Sequence, residues 1–117
     1  MGKTIVDAIH GAIQLSDLHM SVVDTPQFQR LRRVKQLGAS CFVFASAEHS
    51  RFSHSIGVYH LAKTLMKTIQ RQQPELCVPD RLVDVVAMAG LVHDLGHGPF
   101  SHLFDDLVLK NIPVTAK

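Results

Sequence analysis

Along the chain the spacing of apolar positions changes several times, and each change predicts an element. From Thr4 to Leu15 the residues Ile5, Ile9, Ile13 and Leu15 follow neither a helical nor a strand period, and His10-Gly11 interrupts them, so an extended or turn-rich opening is expected. Ser16 is placed to cap a short helix over Leu18 to Val23. Thr25-Pro26 then gives a second start, a capping residue followed by proline at the first helical position. Phe28, Leu31, Val34 and Leu37 form an apolar stripe at steps of three, which Gly38 stops. Cys41-Phe42-Val43-Phe44, aromatic and β-branched, reads as a strand or a buried extended segment, and Ser46 to Ser50 as loop.

A long amphipathic helix is expected from near Ser53, carried by Ile56, Val58, Leu61, Leu65 and Ile69, with His54 in its first turn. Pro74 and Pro79 bracket a linker, and Asp80 is placed to cap the next helix. There Leu82, Val86, Ala89 and His93 recur along one face, so His93 is expected to continue a buried stripe. Pro99 and Ser101 open a last helical segment containing Leu103, Phe104, Leu107 and Leu109, which Pro113 ends. The pattern contains no internal repeat and no second-domain boundary.

Composition narrows the class. A chain of 117 residues, 46% hydrophobic, has enough apolar side chains for a real core in one domain or a piece of one. Cys41 and Cys77 match no zinc spacing and are expected to be reduced, which points to an intracellular protein of nucleus or cytoplasm. No run approaches a membrane span, so no membrane partner is expected. A net charge of +2 is weak support for a polyanionic partner. Locally, Gln29, Arg30, Arg32, Arg33, Lys35 and Gln36 crowd onto one segment, which reads first as a solvated basic face and second as a recognition surface for phosphates.

The chemistry concentrates in residues 93 to 105, where His93, Asp94, His97, His102 and Asp105 stand among two glycines and a proline. Imidazoles and carboxylates together suit a hydrolytic metal site. His93 and Asp94 are neighbours, so on a regular helix their side chains diverge by about 100°, and both reach one ion only near a helix end or a broken turn. A further histidine must come from elsewhere; His54 is the best candidate, with Arg51 and Ser53 marking a polar rim, while His19 and His60 read as surface residues. A His-His-Asp set favours iron, manganese or zinc over a thiolate-seeking metal.

Arg51-Phe52-Ser53-His54-Ser55-Ile56-Gly57, followed by His93-Asp94-Leu95-Gly96-His97-Gly98-Pro99-Phe100-Ser101-His102, closely resembles the HD-domain superfamily of metal-dependent phosphohydrolases. Within it, Asp24-Thr25-Pro26-Gln27-Phe28-Gln29-Arg30-Leu31-Arg32 and Lys35-Gln36-Leu37-Gly38 are similar to the deoxynucleoside triphosphate triphosphohydrolases. The resemblance implies an all-α HD-domain helical bundle, partial, with a short extended or β segment near the N-terminus. Residues 1–117 would be its N-terminal portion, stopping before the last metal ligand, and feeble or inactive alone.

By the same resemblance His54, His93 and Asp94 would bind a divalent metal, Fe, Mn, Zn or Mg, and His97, His102 and Asp105 would be catalytic. Gln36 and Leu37 match positions that contact the substrate sugar and base, and Arg51 matches a phosphate contact. Lys3, Asp24, Gln29, Arg32 and Phe52 match a guanine-nucleotide site taking GTP or dGTP as activator, with Val43 and Phe44 in an adjoining deoxynucleotide site. Thr4 and Val6 depart from that pattern, which has an apolar residue and an asparagine there. The implied reaction cleaves a deoxynucleoside triphosphate into nucleoside and inorganic triphosphate, in a nucleotide-assembled tetramer. Two alternatives stand beside it. One is an inactive HD module that binds nucleotide, single-stranded nucleic acid or a partner protein; the other is an HD-type cyclic-nucleotide phosphodiesterase, which leaves the Asp24-to-Arg32 and Gln36 matches unexplained.

Overall fold

The N-terminal strands β1 (Lys3–Asp7) and β2 (Gly11–Leu15) pair antiparallel, with Ile5 opposite Ile13. The Asp7 carboxylate accepts from the backbone N–H groups of Ile9 and His10, and Gly11 takes φ +72, so the turn uses an Asp and a glycine where the backbone must reverse. Ile13 and Leu15 point into the core, which accounts for the irregular opening: alternation is kept in β2 and lost in the exposed turn. The computed structural model describes residues 2–113, and over them the chain is mostly helical beyond this hairpin.

Helix α1 (Asp17–Val23) starts on the Ser16 cap, and α2 (Pro26–Gln29) on Thr25, whose hydroxyl accepts from the Phe28 N–H at 3.3 Å. The second helix is shorter than its stripe suggests. After Gln29 the chain tightens into a 3-10 turn, Arg30–Arg33, and Val34 is extended. Phe28, Leu31 and Val34 are still buried, because a step of three is the 3-10 repeat as much as an α-helical one. Backbone pairing with a distant segment then replaces helix: the Arg51 N–H donates to Val34 O at 2.8 Å and the Gln36 N–H to His49 O at 3.0 Å. Leu37 is left 49% exposed.

The expected strand at 41–44 is absent. Gly38–Phe42 is a 3-10 turn, and Phe42, Val43 and Phe44 are exposed. Strand propensity is a preference for a pleated, half-buried surface, and here no sheet edge receives the segment.

Helix α3 (Arg51–Gln72) is capped by Ser50, three residues before Ser53, and runs about 33 Å at 1.5 Å per residue. Its buried face is Phe52, Ser55, Ile56 and Tyr59 rather than the expected Leu61 and Leu65, which are 56% and 61% exposed. Only its first half covers the hairpin and α1; the rest runs beside α4 (Asp80–Val92). The cap of α4 is Pro79, with Asp80 inside its first turn. Its buried row is Val83, Ala87 and Leu91 rather than the expected Leu82, Val86, Ala89 and His93, and His93 is exposed. Because the helix is apolar nearly all round, periodicity could not choose between the two rows. Val58 approaches Gly90 so closely that a Cβ there would lie 3.1 Å from its Cγ1.

His19, expected at the surface, is 1% exposed. Its Nε2 donates to Asp84 O at 3.3 Å, so Nδ1 is bare and accepts the Ser16 hydroxyl at 2.6 Å, tying α1 to α4. His60 is partly buried against the His10 ring, with centroids 5.0 Å apart. Beyond α4 the chain turns through residues 93–98, and Phe100 and Ser101 adopt positive φ. The last helical segment begins only at His102 and continues as a π-type turn (Phe104–Val108) and a 3-10 turn (Leu109–Asn111).

Candidate metal centre and its neighbouring histidine cluster

Antiparallel packing of α3 and α4 brings the first turn of one helix to the end of the other, and the histidines meet there. His93 is the last residue of helical geometry on α4, and the chain breaks into turns immediately after it. The break lets Asp94 fold back toward its neighbour, as two adjacent ligands of one ion require. His54 Nε2 lies 3.1 Å from His93 Nε2, and the Asp94 Oδ2 oxygen is 3.3 Å and 3.0 Å from the two.

These three atoms fit a metal. Their separations match the spacing of about 3.0–3.3 Å that donors at about 2.0–2.1 Å from one ion adopt in octahedral or tetrahedral coordination. His93 Nδ1 donates to Gly90 O at 2.6 Å, which fixes the tautomer and leaves Nε2 with its lone pair. Burial lowers the His54 imidazole below its ordinary value; Asp94 pulls the other way, and His93 and Arg51 add to the lowering. The group is thus biased to the neutral form that a ligand needs. The donor set is nitrogen and oxygen only, and Cys41 and Cys77 are free.

A second convergence lies a few residues on. His97 Nε2 is 3.6 Å and His102 Nδ1 3.8 Å from the Asp105 Oδ2 oxygen, and the two rings are 5.5 Å apart. His97 Nδ1 donates to Gly98 O at 3.2 Å, which leaves Nε2 facing the carboxylate. His97 is enclosed and His102 open, with side chains 11% and 80% exposed.

Arg51 ties Asp94 of the first group to Ser101, the residue before His102. Expected on a polar rim, it is buried, its side chain 4% exposed. Nη1 donates to Asp94 Oδ2 at 3.0 Å, and Nη2 to the Ser101 hydroxyl at 2.8 Å and Gln36 O at 3.3 Å. Among the described residues its buried Nε has no partner, and neither has Gln36 Oε1. Leu37 joins Phe100, Ser101, His102 and Leu103 around a cavity of about 450 Å³, so one expected base contact shares a space with the exposed histidine.

The expected guanine-nucleotide residues form a connected patch. Lys3 pairs with Asp24 at 3.9 Å, Gln29 Nε2 donates to Val23 O at 2.8 Å, and Arg32 Nε donates to Gln29 Oε1 at 2.7 Å while its guanidinium lies 3.7 Å over the Phe52 ring. Val43 and Phe44 are exposed nearby in sequence, and among the described residues no hydrogen bond or ion pair ties them to that patch. The basic run is not uniformly solvated: Arg30 turns inward onto backbone carbonyls, and Lys35 pairs with Glu48.

The sequence placed Gly38 as a helix stop and Ser101 at the opening of the last helical segment, but not the contacts either makes at the site, nor the inward turn of Arg30. Gly38 has φ +58, and a Cβ there would meet the Phe100 backbone at 3.0 Å, so a close approach of two loops demands glycine. Ser101 holds an uncommon left-handed conformation that hydrophobic spacing cannot reveal.

A helical bundle with His, His-Asp converging at the crossing of two helices defines an HD-type domain. The chain belongs to the HD-domain family, whose profile matches residues 51–115. It is similar to the deoxynucleoside triphosphate triphosphohydrolases SAMHD1 of Homo sapiens, 55% identical over 103 residues, and of Bos taurus, 54% identical over 103 residues. These alignments cover 88% of this chain and 16% and 18% of those proteins. A SAMHD1 homolog from Dictyostelium discoideum is 54% identical over 106 residues, 91% of this chain and 21% of that protein. The chain therefore spans about a fifth or less of the length of these relatives. Among the described residues no helix is long and apolar enough to cross a membrane.

Proposed function

We propose that this chain carries the metal-binding and phosphate-facing portion of a deoxynucleoside triphosphate triphosphohydrolase. The observation that carries the reading is the pair of clusters His54-His93-Asp94 and His97-His102-Asp105 within an HD domain, with the buried Arg51 tying Asp94 of the first to Ser101, the residue before His102. His54, His93 and Asp94 hold the divalent ion; two imidazoles and one carboxylate suit iron, zinc or manganese, and magnesium, which prefers oxygen donors, fits them least. When bound, the ion polarises phosphate oxygen and makes water more acidic.

The remaining work falls to the chain. Water adds to the α-phosphorus, the bond to the 5′ oxygen breaks, and that oxygen leaves with a proton from His102, so the products are deoxynucleoside and inorganic triphosphate. Asp105 orients and charges the imidazole; separations near 3.8 Å in a substrate-free site shorten on binding. His97 lies inward, facing the phosphates. Leu37 packs against the base or sugar in the cavity it shares with His102, and the neighbouring Gln36 has a buried acceptor, Oε1, without a partner among the described residues. Arg51 holds Asp94 and Ser101, and its buried Nε, without a partner among the described residues, is the donor left for phosphate.

The patch of Lys3, Asp24, Gln29, Arg32 and Phe52 takes a guanine nucleotide, GTP or dGTP, with the acid and amide reading the base edge and the cations its phosphates. Occupancy of that patch assembles copies of the full protein.

The test is incubation of the full protein with dGTP and each other deoxynucleoside triphosphate, Mn2+ and GTP, with the phosphorus product resolved by 31P NMR. Inorganic triphosphate that disappears in H54A and D94N is the expected result. Release of orthophosphate or pyrophosphate, or no release at all, rejects the reading.

A further inference from the structure

Among the arginines of the 30–33 turn, Arg30 alone is turned inward. Its origin is fixed, because Phe28 and Leu31 on either side are both 0% exposed and anchor the turn in the core. Across the molecule, the chain leaving α4 has a row of backbone carbonyls without helical partners. Two are satisfied locally: the Leu95 N–H donates to Val92 O and the His97 N–H to Asp94 O, each at 3.0 Å. The carbonyls of Leu95 and His97 are not, and one nitrogen of Arg30 donates to both, at 3.0 Å and 2.7 Å. A charged donor shared by two carbonyls is stronger than a neutral pair, and it takes both from a single rigid plane.

These two carbonyls bracket the turn between the metal-site candidate Asp94 and His97. Fixing them sets where the His97 ring enters the second cluster. Arg51 holds the same stretch from its other side, through Asp94 and Ser101.

We propose that Arg30 is a positioning residue for the phosphate-facing cluster, acting through the Leu95-to-His97 backbone to hold His97 in place against Asp105. The proposal rests on the reading of that cluster as catalytic. It assigns Arg30 a role distinct from the exposed Arg32 and Arg33, and distinct from contact with any ligand.

The experiment compares wild-type full protein with R30M, which keeps the stem and removes the donors, and R30K, which restores a charge that can donate to the same carbonyls. In R30M, amide hydrogen exchange at Leu95 and His97 rises about 10- to 100-fold, as expected for one lost charge-assisted bond, while amides of α3 and the hairpin keep their protection. Triphosphate release loses kcat on the order of 10- to 100-fold with KM unchanged. R30K recovers part of both. Exchange that rises uniformly through the molecule, exchange that does not change, or a local rise with full kcat overturns the proposal. If wild-type protein releases no triphosphate, the functional reading fails by itself, and the local or uniform character of the exchange then decides whether Arg30 fixes this turn.

Discussion

Asp94 takes three partners on one oxygen: the Arg51 guanidinium and the two facing imidazoles. With side chains 4% and 14% exposed, the Arg51-Asp94 pair is nearly dry, so removing one member leaves an uncompensated buried charge. R51M should cost about 3–5 kcal/mol in urea unfolding, and the R51M/D94N double variant should recover much of it, because neither charge is then stranded. Equal losses in single and double variants would show the pair to be energetically uncoupled. D94N should also weaken Mn2+ binding, measured by calorimetry, by more than the roughly 10- to 100-fold typical of an outer-shell partner. His54 gives a pH dependence with a definite sign. Its folded value lies below the ordinary 6.5, so as pH falls the unfolded chain takes up the proton first and the folded state loses stability. The contribution is absent above about pH 6.5 and grows as pH drops from there to the lowered folded value. The difference in metal-free stability between wild type and H54Q should therefore shift against wild type across that window, and a constant difference would contradict the assignment.

Between elements, the site depends on loops that fit together without periodic signal. Placing alanine at Gly38 forces φ +58 on a residue with a Cβ and drives that Cβ to 3.0 Å from Phe100 backbone. G38A should lose about 1–2 kcal/mol from the left-handed conformation alone, and more from the contact, with triphosphate release falling because Phe100 carries Ser101 and the cavity wall with it. Full stability and activity in G38A would show that the two loops give way without consequence. The same contrast explains what was legible in the sequence. Helix starts at Ser16 and Thr25 were readable because capping is a local bond between a side chain and an N–H a few residues on, whereas α3 was placed near Ser53 by apolar spacing and its cap, Ser50, was read as loop. The coming together of His54, His93 and Asp94 was readable from ligand chemistry and motif resemblance, and its place at a helix end from the geometry of adjacent residues. The buried rows of α3 and α4 were not, since α4 is apolar on several faces and α3 covers the core with only half its length. The strand expected at 41–44 failed because propensity needs a sheet to join, and the long helix after Pro26 failed because pairing of Val34 and Gln36 with His49 and Arg51 competes with it. Arg30 was misread as solvated because only the fold supplies carbonyls for it.

For the molecule as a whole, the distribution of charge decides between phosphate chemistry at a built site and diffuse attraction for nucleic acid. A net charge of +2 is small, and most of the basic run that suggested a binding face already has a partner within the chain. Arg30 holds carbonyls, Lys35 pairs with Glu48, and Arg32 lies against Gln29 and Phe52, with Arg33 left as an exposed cation of that run. Each phosphate neutralised on a single strand contributes a slope of about −0.7 to the logarithmic salt dependence, so Arg32 and Arg33 together support no more than about −1.4. Anisotropy titrations of the chain with a labelled oligo-dT should accordingly show weak binding with a slope no steeper than about −1.5, abolished by R32Q/R33Q. R30Q should change that binding little while disturbing the Leu95-to-His97 turn. A slope of about −3 or steeper that falls only when Arg30 and Lys35 are also neutralised would mean that those two side chains leave their internal partners for the strand, and would favour the binding-module reading over an enzyme built around the His54-His93-Asp94 centre.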